Sequence, residues 1–389
     1  SYKIDNYRDL CYYTLVIHRA YDDLSKYLRP NKVLILYGPR RVGKTVLLEN
    51  FLHKTALKYK LGNGGDLSVA EVFRNPRLET ICAYAQGFEL IALDEAQYIE
   101  NIGQGLKLLI DSVPGIKVIA TGSASFDLAN KIGEPLTGRD ITLRLYPVSQ
   151  HELLHQSNQY ELTQKKEMYL IYGSYPEVLT LPTLEEKATY LRGIVNSYLL
   201  KDILALQDVK GSKVLIDLLR LLAFQIGGEV SFAELGQSLL IDAKTVARYL
   251  DLLEKSFVLI NLRGYSRNLR KEITKKSKYY FYDTGVRNAL ISNFNPLNVR
   301  DDTGKLWENF LVVERIKKQA YQPLFANNYF WRTWDQKEID FIEEREGKLF
   351  GYEFKYSPIQ KRTPKEFLTS YPSAICDTIT PENYLDFVA

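Results

Sequence analysis

Short, almost wholly apolar runs alternate along this chain with longer stretches in which apolar residues recur every three or four positions. In the first third, Val33–Tyr37, Leu90–Leu93 and Val118–Thr121 carry almost no polar side chain. A strand covered on both faces reads this way, so the pattern predicts the buried parallel strands of an α/β sheet. Four blocks follow. Residues 1–147 alternate strands and helices. Residues 148–205 are helical and rich in Leu, Tyr and charge. Residues 206–290 hold three helical patterns and then a strand-like, basic stretch. Residues 291–389 carry an amphipathic helix followed by β-rich sequence. One gap stands out: residues 57–70 hold no clear apolar strand, so the second strand of the sheet is unplaced.

The strand Val33–Tyr37 runs straight into Gly38-Pro39-Arg40-Arg41-Val42-Gly43-Lys44-Thr45, and a helical pattern begins at once. That strand–loop–helix context is what a phosphate-binding loop requires. Glycines let backbone N–H groups turn toward phosphate oxygens, and the helix N-terminus adds its positive end. Lys44 is expected on the β- and γ-phosphates, and the Thr45 hydroxyl on Mg2+. A second apolar strand, Leu90–Leu93, ends in Asp94 and Glu95. Behind a P-loop, Asp94 is expected in the Mg2+ shell and Glu95 on the attacking water. The strand Lys117–Thr121 ends near Ser123, where a polar group can sense the γ-phosphate. ATP with Mg2+ is the cofactor set expected.

In the third block, Ser231-Phe-Ala-Glu234 reads as a capping box and Asp242 as the cap of the next helix, in which Val246, Leu250 and Leu253 keep helical spacing. Two short helices with a brief turn read as helix-turn-helix. The strand-like segments 257–262 and 278–282 would form a wing, with Arg263, Arg267, Arg270, Lys271, Lys275, Lys276 and Lys278 in or between them. A winged helix of this charge suits phosphate-backbone contact, with Lys244 and Arg248 offered to a groove. A wing used only for protein contacts fits the same residues.

Composition narrows the classes. The 389 residues are 46% hydrophobic and 25% charged, and the net charge is +4. This is the balance of a globular protein of two or three domains, and only locally basic. No apolar run reaches the roughly 20 residues that span a bilayer. The N-terminus opens no signal-peptide core, so a cytoplasmic location is expected. Cys11, Cys82 and Cys376 are scattered and form no CxxC pair, which fits a reducing compartment. His151 and His155 could share a helix face, but no third zinc ligand lies nearby.

Taken together, Gly38–Thr45, Leu93–Gln97, Thr121-Gly-Ser123, Leu136–Arg139, Leu145–Ser149, Tyr172–Pro176, Gly304–Glu308 and Tyr329–Thr333 resemble a prokaryotic family. In that family an AAA+ ATPase module precedes a C-terminal domain once listed as of unknown function. The resemblance implies an AAA+ core over 1–147, a helical lid over 148–205, a winged helix over 206–290 and a nuclease-like domain over 291–389. It also implies self-association into a ring or lower oligomer, with Arg139 reaching a neighbour's nucleotide. In the last block, Asp340, a hairpin, and then Glu353-Phe-Lys355 resemble the PD-(D/E)XK restriction-endonuclease-like fold. There Glu308, Asp340 and Glu353 would hold Mg2+ or Mn2+, and Lys355 would activate a water. Alternation of period two keeps Glu353 and Lys355 on one strand face. Two functions are therefore expected to compete. One is ATP-driven DNA binding with metal-dependent cleavage of duplex or branched DNA. The other is an ATP-dependent switch or scaffold whose nuclease-like domain is catalytically silent.

Overall fold

A computed structural model of the chain describes residues 17–123, 136–199, 212–266, 277–322, 324–333, 337–357 and 365–389. Five strands form its first sheet: β1 (Val33–Tyr37), β2 (Tyr59–Asn63), β3 (Leu90–Asp94), β4 (Lys117–Gly122) and β5 (Asp140–Arg144). They lie in the order β2-β3-β4-β1-β5, and every pairing is parallel. The apolar runs fill the centre because they are covered twice. Leu34, Leu36 and Ile119 pack against α1 (Lys44–Lys54) through Leu47, Leu48, Phe51 and Leu52. Val33, Ile35, Val118 and Ala120 face α2 (Leu67–Arg74), α3 (Leu78–Ala85) and α4 (Ile102–Ser112). Strand β2 answers the gap in the sequence pattern. It is the edge strand, and of Tyr-Lys-Leu-Gly-Asn only Gly62 is buried. An edge strand has one neighbour and less cover, so it carries no apolar run.

Short helices follow: α5 (Gln150–Leu154), α6 (Gln159–Gln164), α7 (Lys166–Tyr172), α8 (Pro176–Thr180) and α9 (Leu184–Gly193). Ser149 and Thr183 start α5 and α9 with full capping boxes. Helix α10 (Ser212–Phe224) stops short of Gly227, which takes a left-handed φ of 71° in the next turn. At α11 (Phe232–Leu239) Ser231 accepts from the Glu234 N–H, one half of the expected capping box, and at α12 (Ala243–Lys255) Asp242 accepts from the Thr245 N–H. Leu240 turns the chain between them at φ 57°.

The second sheet has seven strands in the order β12-β11-β10-β9-β7-β8-β6. They are β6 (Glu229–Val230), β7 (Leu259–Gly264), β8 (Ser277–Phe281), β9 (Asn327–Arg332), β10 (Glu338–Arg345), β11 (Lys348–Phe354) and β12 (Ile375–Ile379). The antiparallel pair β7–β8 falls where the wing was expected. It joins β9 in parallel, Arg263 beside Tyr329, so one sheet runs across residue 290 without a break. Arg267, Arg270, Lys271, Lys275 and Lys276 lie outside the described residues. Helices α13 (Thr284–Leu290), α14 (Thr303–Tyr321), α15 (Lys365–Ser370) and α16 (Tyr384–Val388) complete the chain. Leu306, Trp307, Phe310, Leu311 and Val312 of α14 belong to the same apolar cluster as Leu34 and Leu47 beneath the first sheet.

Candidate functional site

At the C-terminal end of β1 the chain must turn hard against its neighbour. A Cβ on Gly38 would stand 2.0 Å from the Leu145 carbonyl oxygen, so only glycine fits. Arg41 and Gly43 take left-handed φ values of 64° and 94°, which curl the loop before α1 begins. Lys44 is buried, and its ammonium donates to the carbonyls of Gly38 at 2.9 Å and Pro39 at 2.7 Å. The Thr45 hydroxyl donates to Asp94 Oδ2 at 2.9 Å. Thr121 bonds the other Asp94 oxygen and accepts from the Glu95 N–H at 3.1 Å. Glu95, at φ 51°, meets the Gln97 amide, which also reaches Ser123 Oγ at 3.2 Å. Residues from three strand ends thus meet within one hydrogen-bonded set. A lysine, a hydroxyl and a carboxylate side by side are the donor set that a triphosphate and a hard divalent cation need.

Arg139 does not join this set. It precedes β5, at the opposite end of the parallel sheet from the P-loop, and pairs with Asp111 of α4. An exposed cation there serves no phosphate of its own chain.

Sequence reasoning missed Arg19. It is buried, and donates to Val42 O inside the P-loop, to Tyr146 O at 2.6 Å and to Glu152 Oε1 at 2.9 Å. No local pattern marks it, since its partners lie up to 133 positions away. From there a polar chain continues. The Gln150 N–H donates to Glu314 of α14 at 2.6 Å, and Lys317 holds Glu314 at 2.6 Å and Val148 O at 3.2 Å. Beside Pro39–Arg41 a cleft is walled by Tyr175, Phe257, Val258 and Tyr282. The P-loop therefore borders residues from the second and third blocks.

A second cluster lies in the seven-stranded sheet. Carboxylate oxygens of Glu308, Glu338 and Asp340 come within 4.8 Å of one another. Lys355 reaches Asp340 at 3.9 Å and Glu353 at 3.7 Å. Asp340 also accepts from the Phe354 N–H at 2.8 Å, and burial, with Glu308 adding to it, pushes its carboxyl up to about 7. The four residues expected here do gather. The third member of the tight carboxylate group, however, is Glu338 rather than Glu353. The spacing Glu338-Ile-Asp340 could have revealed it, since residues two apart share a strand face. Lys278 departs further from expectation. Read as part of a basic, DNA-facing stretch, it is instead 2% exposed, 3.0 Å from Glu308 and in contact with Glu338. His151 and His155 pack edge to face, their ring centres 5.0 Å apart.

Three family models match the chain: an AAA domain over residues 30–154, and two domains of unknown function, DUF8612 over 163–297 and DUF4143 over 303–381. An uncharacterized protein of Mycobacterium tuberculosis is 27% identical over 335 residues, covering 85% of this chain and 72% of that one. One of Haemophilus influenzae is 27% identical over 342 residues, covering 82% and 80%. Among solved structures, the Walker-type ATPase PABY2304 of Pyrococcus abyssi is 15% identical, with a TM-score of 0.46 over 67% of this chain and 91% of that one. No helix among the described residues is long and apolar enough to cross a membrane. With its P-loop between β1 and α1, its Asp94 strand and the AAA match across that sheet, the chain carries an AAA domain, followed by matches to two domains of unknown function.

Proposed function

We propose that the chain is a Mg2+-dependent ATP hydrolase that works as a switch, with the C-terminal sheet and α14 as the moving load. The Thr45–Asp94 hydrogen bond at 2.9 Å beside the buried Lys44 ammonium carries this reading. Mg2+ would be held by Thr45 and Asp94, and would neutralise phosphate charge. Lys44 exchanges its two carbonyl partners for phosphate oxygens. Glu95, fixed through Thr121 and Gln97, orients the attacking water. Ser123, at the other end of the Gln97 amide, registers the γ-phosphate. Arg139, away from its own site, would leave its pair with Asp111 to meet the nucleotide of a second copy in an oligomer.

Lys44→Ala is expected to abolish nucleotide binding. Glu95→Gln should bind ATP normally and lose turnover by about 100-fold or more. Binding and steady-state hydrolysis, measured on both variants, check this. Unchanged turnover in Glu95→Gln would move the water-orienting role elsewhere.

A second reading adds DNA. Lys244 and Arg248 are exposed on α12, the second helix of the helix-turn-helix pair, which supports a winged helix on a phosphate backbone. The tight Glu308–Glu338–Asp340 group supports a PD-(D/E)XK-type site for Mg2+ or Mn2+. On this second reading, cleavage of linear and branched DNA would depend on the metal, require DNA binding to open the site, and disappear in Asp340→Ala. DNA binding without any cutting would leave the silent-domain form of the switch.

A further inference from the structure

The Glu308–Glu338–Asp340 group already contains a cation, and the fold supplies it. Lys278 rises from β8, in the block before the group's other members, and is almost wholly buried. Its ammonium lies 3.0 Å from Glu308 Oε1 and touches Glu338. The Phe330 ring, 5.3 Å away, covers it further. Tyr280, two residues on along the same strand, donates to the same Glu308 oxygen at 2.6 Å. Arg332 stands 3.7 Å from Glu338, and Lys355 3.9 Å from Asp340. Three carboxylates thus meet three cations of the chain itself. Gly227 closes over Glu308: a Cβ there would lie 3.1 Å from its carboxylate oxygen, a contact that the side chain would have to ease by a few tenths of an ångström.

We infer that Lys278 is the resident cation of this group, and that the group takes up a divalent metal only when that ammonium is removed, as it would be if β8 withdrew. Two reasons support it. A dication among these oxygens would stand beside a buried ammonium, where repulsion is poorly screened. Its ligands would also have to give up bonds to Lys278 and Tyr280 that close packing holds in place. The geometry is therefore that of a metal site locked by a lysine. The lock is built from the same strand pair, β7–β8, that joins the two domains of unknown function. Any partner that displaces β8 would open the site.

The test is Mn2+ binding to the full chain without nucleotide, followed by electron paramagnetic resonance and by the thermal unfolding midpoint. Wild type should hold no Mn2+ that depends on Asp340. Lys278→Met should bind one Mn2+ per chain, lose it on adding Asp340→Asn, and gain thermal stability from Mn2+ where wild type gains none. Lys278→Arg keeps the charge and should bind none. A wild-type Mn2+ site removed by Asp340→Asn overturns the inference, whether or not Lys278→Met folds. A folded Lys278→Met that binds none overturns it equally. The ATPase reading stands apart, because Lys44→Ala abolishes nucleotide binding without touching this site.

Discussion

Single side chains in this protein are decided by what the fold places around them. Glu254 is an example. It sits on the buried side of α12 near Asn261, whose amide donates to it at 3.2 Å. Burial pushes its carboxyl up to about 7; Asp251 adds to this, while the Asn261 bond, Arg263 and Lys255 work against it. Unfolded, the group titrates near 4.3. The folded state therefore holds the proton more tightly, and the stability this confers is complete below about pH 4.3 and lost as pH rises through 7. Glu254→Gln should flatten that slope. Denaturation midpoints of the two proteins should converge near pH 4.5 and separate by pH 8, with the variant the more stable. Parallel curves would show that Glu254 titrates as in the unfolded chain.

At the scale of elements, α14 is the piece on which most depends. It has 19 residues, and Leu306, Trp307, Phe310, Leu311, Val312 and Val313 are all buried. Trp307 stacks near Phe310 and meets Tyr384 and Tyr356 edge-on. Arg315 forks onto Glu343 of β10 at 2.5 and 2.9 Å, so the helix is fixed to the sheet by charge as well as by packing. Leu311→Ala should cost about 2–5 kcal/mol, as for a fully buried leucine whose cavity only partly collapses. A urea titration with an unchanged slope and a lower midpoint is the expected record. The same scale explains β2. Its residues alternate neither strictly nor apolarly, yet Tyr59 pairs with Leu90 and Asn63 with Asp94. Pairing with a strong neighbour, rather than its own pattern, makes it a strand.

At the scale of the whole molecule, polar contacts run from the P-loop to α14, which is fixed to the C-terminal sheet. The route is continuous: Val42 to Arg19, Arg19 to Glu152 and Tyr146, Gln150 to Glu314, and Lys317 back to Val148. Tyr321, the last residue of α14, also accepts from the Tyr146 N–H at 3.0 Å. Buried polar networks of this kind move as units, because breaking one member leaves another unsatisfied. In the Glu95→Gln background, ATP should alter hydrogen exchange in α14 as well as in the P-loop. Adding Glu314→Gln with Lys317→Met should leave the P-loop response intact and remove the one in α14. An undiminished α14 response would place the coupling on another path.

The sequence by itself marked the residues of the proposed nucleotide site. Gly38–Thr45, Asp94, Glu95 and Ser123 sit at the ends of strands, where a local pattern fixes both the backbone and the chemistry. It also marked the central strands, whose burial on both faces demands apolar runs, and the helix starts at Ser231 and Asp242, which cap through bonds only three residues long. The tertiary structure alone decided the rest. Arg19 joins the P-loop through partners distant in sequence. Glu338 completes the carboxylate group because β8, β10 and α14 converge, and Lys278 is drawn inside it by the same convergence. A charged residue reads alike in sequence whether it faces water or fills a buried acidic site, and only the packing of distant elements tells the two apart.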